Sequence, residues 1–101
     1  MENINFVITQ ENHIRFTLRG RLDANNAVEL EQKLKNIKID EQPNVVLNML
    51  YVEYLCSTGI RVLLKAYKEL TSAGGTFGIE SPSECVKNVL GLVALTEMLI
   101  E

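Results

Sequence analysis

At Cys56-Ser57-Thr58-Gly59 a thiol, two hydroxyls and a glycine stand side by side between apolar runs. The residues before this corner read as the end of a buried strand, and those after it as an amphipathic helix. A hydroxyl placed there lies at a helix N-terminus, where unpaired backbone N–H groups and the helix dipole favour negative charge. Two chemistries fit Ser57. It can accept a phosphoryl group, gaining about −1.5 to −2 charges at neutral pH, or it can cap the helix, as serine often does. Nucleophilic thiols also occur near helix N-termini, but Cys56 has no histidine or second cysteine close in sequence and no acid–base pair to serve it.

Other reactive groups are few. With one histidine, His13, and no CxxC spacing there is no metal-ligand set, and Cys56 and Cys85 make a poor disulfide framework. Cys85 reads as a small packed hydrophobe. Paired carboxylates and a glycine-rich phosphate cradle are absent, since Gly74-Gly75 reads as a turn. No catalytic residue and no cofactor are expected. Arg61, Lys65 and Lys68 recur at i, i+4 and i+7. That stripe is either a solvated helix face or the border of a site for phosphate or carboxylate groups.

The chain has 101 residues, a length that suits one compact domain over residues 1–101. Its 47% hydrophobic content fits a globular core rather than disorder. The net charge of −3, without a basic block or a tryptophan, argues against direct nucleic-acid binding. No apolar run approaches the ~20 residues that span a bilayer. The N-terminus lacks the basic start and apolar core of a signal peptide. A cytoplasmic protein is expected.

The corner must be positioned by the elements around it. Ile4–Thr9 and His13–Leu18 read as two strands of an opening hairpin, with Ile14, Phe16 and Leu18 on one face and Arg15, Thr17 and Arg19 on the other. Gly20-Arg21-Leu22-Asp23 ends the second strand, and Asp23 is a good N-cap for a helix whose apolar face is Ala27, Leu30, Leu34 and Ile37. Val45-Val46-Leu47 predicts a central strand, followed to Leu55 by a strand end and packed loop. A helix is expected over 60–70, burying Ile60, Leu63, Leu64, Tyr67 and Leu70. Then come a Gly-Gly turn and a strand at Thr76–Ile79. Next is a helix opened by the capping box Ser81-Pro82-Ser83-Glu84 and ended by Gly91, then an edge strand at Met98-Leu99-Ile100. The order β-β-α-β-α-β-α-β predicts an α/β fold, a mixed sheet of four to five strands with helices mainly on one face.

In order and spacing, Gly20-x-Leu22-Asp23 followed by VVLN-x-x-x-V-x-Y-L-C-S-T-G-I-R-V-L-L resembles a STAS domain, and more narrowly the bacterial anti-sigma factor antagonists. The resemblance implies that Ser57 is the phosphoacceptor. Thr58 and Gly59 match the two positions after it, and Asp23 matches an acidic residue that takes part in partner contact. Cys56 and Arg61 border the same surface. The implied partners are an anti-sigma factor, which is a serine kinase of the histidine-kinase-like ATPase class, and a phosphatase that resets the cycle. The family's aspartate before the serine is Cys56 here, and the aspartate that usually closes the buried strand is Asn48. Many members add a final helix after the position of Ile100, whose absence would leave apolar surface for a partner or a second copy. Small STAS proteins also resemble accessory subunits of ABC lipid transporters, where the same corner contacts the ATPase and need not be phosphorylated.

Overall fold

The structure, a computed structural model, describes residues 4–10, 13–37 and 43–92. Seven elements follow one another: β1 (Ile4–Gln10), β2 (His13–Leu22), α1 (Ala24–Lys35), β3 (Asn44–Leu55), α2 (Ser57–Ser72), β4 (Thr76–Glu80) and α3 (Glu84–Leu92). The strand expected at Met98-Leu99-Ile100 lies outside the described residues. β1 and β2 pair antiparallel, as a short connection allows. β2–β3 and β3–β4 pair parallel across helical crossovers, giving a mixed sheet in the order β1-β2-β3-β4.

Strand register explains where the core sits. Ile14, Val45 and Phe77 lie abreast across three strands, and so do Phe16, Leu47 and Ile79. Leu47 and Ile79 are fully buried and Phe16 nearly so. Successive strand residues point to opposite faces, so the rows between them, Arg15–Val46–Gly78 and Thr17–Asn48–Glu80, form the outer face. One contiguous apolar cluster joins the inner rows to Ala27, Leu30 and Leu34 of α1, to α2, and to Val86 and Leu90 of α3. α1 and α2 also pack on each other. Tyr67 of α2 meets Phe77 of β4 edge-on, with ring centroids 6.4 Å apart.

Four local expectations need correction. The stretch after Asn48 is not a packed loop: β3 continues to Leu55. Thr17 lies opposite Asn48 but Arg19 opposite Tyr51, and Gly20 opposite Val52 but Arg21 opposite Tyr54, so β3 carries an extra residue at each step. Two bulges change its burial period from two to three, leaving Met49, Val52 and Leu55 buried and Leu50, Tyr51, Glu53 and Tyr54 exposed. Asn48 supports the first bulge by accepting the Leu50 N–H at 3.1 Å. Opposite the second, Gly20 has φ 85°, a left-handed conformation that glycine adopts without strain.

α2 starts three residues before the expected Ile60, and its buried line is Gly59, Val62, Leu63, Ala66 and Leu70; Ile60, Leu64 and Tyr67 are only half-buried. The capping box is also displaced. α3 begins at Glu84, and Ser83, not Ser81, caps it: its hydroxyl accepts the Val86 N–H at 3.2 Å and donates to the Val52 carbonyl at 2.7 Å. Ser81 takes φ 48° in the preceding turn. Gly91 does not stop α3, which runs to Leu92; a Cβ at Gly91 would meet nothing within 4 Å.

Candidate functional site

Parallel pairing of β2 and β3 builds the corner. Leu22 and Leu55 are register partners at the strand ends. Two residues after each, a helix begins, α1 at Ala24 and α2 at Ser57. Both helix N-termini therefore open at the same edge of the sheet. The Cys56 N–H donates to the Leu22 carbonyl at 3.2 Å and ties the two exits together.

At the first exit Asp23 is extended and its carboxylate accepts the Asn26 N–H at 3.0 Å, the N-cap that the sequence predicts. The Asn26 side-chain amide donates back to the Arg21 carbonyl at 2.6 Å and fixes the turn. At the second exit the cap is Cys56. Its backbone is extended, its carbonyl accepts the Ile60 N–H at 3.0 Å, and its sulfur accepts the Gly59 N–H at 3.4 Å.

Ser57 is thereby relieved of capping. It occupies the first helical position, exposed, and its hydroxyl bonds to none of the described residues. Thr58 is half-buried beside it. Gly59 is buried where the helix comes closest to the strands: a Cβ there would lie 3.0 Å from Leu55 Cδ1 and 3.1 Å from Leu22 Cγ. Arg61 is exposed one turn along α2 from Ser57. The structure thus brings Asp23, Cys56, Ser57, Thr58 and Gly59 to one end of the sheet, with Arg61 behind them on the helix surface. Lys65 and Lys68 are also exposed, and Lys65 pairs with Glu31 of α1 at 3.6 Å, so the basic stripe reads as a solvated face.

Sequence reasoning missed Leu22, whose carbonyl holds Cys56 and whose side chain sets the room at Gly59. Only the parallel register of two strands far apart in sequence reveals that role. The arrangement offers an exposed hydroxyl at the N-terminus of α2, with the carboxylate that caps α1 at the same edge of the sheet. No group of three or more histidine, cysteine or acidic side chains among the described residues is placed to hold a metal ion. Among them, too, no helix is long and apolar enough to cross a membrane.

A mixed sheet backed by helices, with this hydroxyl corner at the parallel strand ends, is the architecture of a STAS domain. The chain belongs to that family, whose model matches residues 5–100. Within the family it is similar to the anti-sigma-B factor antagonist of Bacillus subtilis, with 28% identity over 99 residues covering 96% of this chain and 89% of that one. Its fold matches the anti-sigma factor antagonist SpoIIAA in its unphosphorylated form, with TM-score 0.82, 18% identity and coverage of 96% of this chain and 85% of that one. It also matches the Bacillus cell fate determinant SpoIIAA in the phosphorylated form, with TM-score 0.78, 17% identity and coverage of 96% and 88%.

Proposed function

We propose that the protein, acting as a single STAS domain over residues 1–101 in the cytoplasm, is an anti-sigma factor antagonist switched by phosphorylation of Ser57. The observation that carries the reading is the division of labour at the corner: Cys56 caps α2 and leaves the Ser57 hydroxyl exposed and unbonded among the described residues. Unphosphorylated, the surface around Asp23, Cys56, Ser57, Thr58, Gly59 and Arg61 binds an anti-sigma factor of the serine-kinase class and so releases a sigma factor. Phosphorylation places a dianion at a partner interface, where juxtaposed like charges cost several kcal/mol. It does not unfold the domain, because negative charge at a helix N-terminus is locally favourable. A phosphatase resets the cycle. The domain itself catalyses nothing and acts on transcription only through its partners. A relative of the same fold exists in both unphosphorylated and phosphorylated forms, which supports the reading.

Affinity purification from the native cells, with phosphopeptide mapping of the same sample, tests it. The expected result is an ATPase of the histidine-kinase-like class as partner, phosphate on Ser57, and loss of the partner on Ser57→Asp. A second reading draws on the two positions where the family's aspartates are missing, since Cys56 and Asn48 both have structural work here, capping α2 and holding a bulge. In that reading the protein is a non-phosphorylated accessory subunit of an ABC-type lipid transporter. A membrane ATPase partner with Ser57 unmodified under every growth condition would replace the first reading with the second.

A further inference from the structure

The bulged end of the sheet carries, beside the corner, a second cluster made of residues other than those of the Ser57 surface. Arg15, Arg19 and Arg21 are exposed and alternate with the buried residues of β2, so they share the outer face. Arg15 is already matched by a carboxylate, that of Glu80 on β4. Among the described residues Arg19 and Arg21 have no such partner. Each guanidinium lies instead over a tyrosine ring of β3, Arg19 at 4.4 Å from the centroid of Tyr51 and Arg21 at 4.2 Å from that of Tyr54. The two bulges create this match by setting Tyr51 opposite Arg19 and Tyr54 opposite Arg21. Glu53, exposed between the tyrosines, forms an ion pair with neither arginine. Tyr51 stays 49% exposed, Tyr54 39% and the adjoining Leu50 49%.

We propose that this patch docks an extended acidic segment of a partner protein, with alternate carboxylates meeting Arg19 and Arg21. Stacking holds each guanidinium in place and leaves its N–H edges available for bidentate pairing with a carboxylate. Arg19 and Arg21 stand on one strand with a single residue between them, as do alternate side chains of an extended partner. Exposed tyrosine and arginine together are the residue types that dominate interface energetics. The chemistry disfavours other occupants. Single-stranded nucleic acid stacks its bases on aromatic faces, and here the guanidiniums already cover those rings. An isologous contact with a second copy would set Arg19, Arg21, Leu50, Tyr51, Glu53 and Tyr54 against the same set, in which Glu53 is the one acidic residue.

The test is a titration of isotope-labelled protein, followed by NMR, with a synthetic peptide alternating glutamate and leucine. A glutamine–leucine peptide is the control. Amide shifts at Arg19, Arg21, Tyr51 and Tyr54 are expected with the glutamate peptide alone. Affinity should fall about ten-fold for Arg19→Gln and again for Arg21→Gln, the loss of one charge-assisted hydrogen-bonded pair each, and stay unchanged for Arg15→Gln. Circular dichroism checks that each variant is folded. No shifts at these four residues, or equal binding of both peptides, overturns the proposal. So does tighter binding of a thymidine oligonucleotide through the same arginines, or self-association that Arg21→Gln abolishes. The inference needs no phosphate on Ser57, so its failure would leave the proposed switch intact.

Discussion

At the scale of single residues, the corner separates two jobs that serine could have combined. Cys56 caps the helix through its sulfur, a weak acceptor, at 3.4 Å from the Gly59 N–H. Aspartate would accept the same bond more strongly and would complement the helix dipole. Cys56→Asp is therefore expected to raise stability by ~0.5–1 kcal/mol, and Cys56→Ala to lower it by a similar amount, read as shifts of the urea midpoint. An unchanged midpoint for both variants would show that the sulfur contributes nothing to the cap. Asp23 was legible in the sequence because aspartate before a helical pattern is a strong capping signal. Cys56 was not, because cysteine is rarely weighed as a cap. Helical periodicity starting at Ile60 hid the first turn, in which Ser57 and Thr58 are polar and Gly59 has no side chain.

Among the elements, α2 owes its approach to the sheet to one missing methyl group. Gly59→Ala would push a Cβ against Leu55 and Leu22, an overpacking expected to cost ~1–3 kcal/mol. Gly91 lies in the last turn of α3 with open space around it. Gly91→Ala is therefore expected to stabilise by up to ~1 kcal/mol through helix propensity alone. Thermal unfolding of the two variants should move the melting temperature in opposite directions. Equal effects would mean that the contact at Gly59 relaxes freely. Element types and order were readable from periodicity as far as Leu92. The bulges of β3 were not: a buried period of three, at Met49, Val52 and Leu55, matches neither a strand nor a helix template. The shifted start of α3 escaped for a related reason. Ser81 and Ser83 both resemble caps, and only contact with the Val52 carbonyl selects Ser83.

Across the whole molecule, stability rests on the inner rows of the sheet rather than on surface charge. Leu47→Ala, in the middle of the row Phe16–Leu47–Ile79, is expected to cost ~2–5 kcal/mol by opening a cavity under the helices. Arg15→Ala, which removes the exposed pair with Glu80, is expected to cost less than ~1 kcal/mol. Guanidinium unfolding ranks the two, and a reversed order would contradict this account. The mixed sheet was legible because strand–helix–strand alternation implies parallel neighbours. That both helix N-termini open at one edge followed only once Leu22 and Leu55 were known to be partners.

Under the proposed switch, that pairing also decides what a kinase of Ser57 would have to recognise. The corner joins residue 22 to residues 55–59 through the Cys56–Leu22 hydrogen bond and the contacts at Gly59. No short stretch of the chain contains it. A peptide copied from around Ser57, or a chain still emerging from the ribosome before α2 has docked, presents the same letters without the shape. Modification of this serine would thus be reserved for molecules that have finished folding, and the fold would act as its own quality control on the signal.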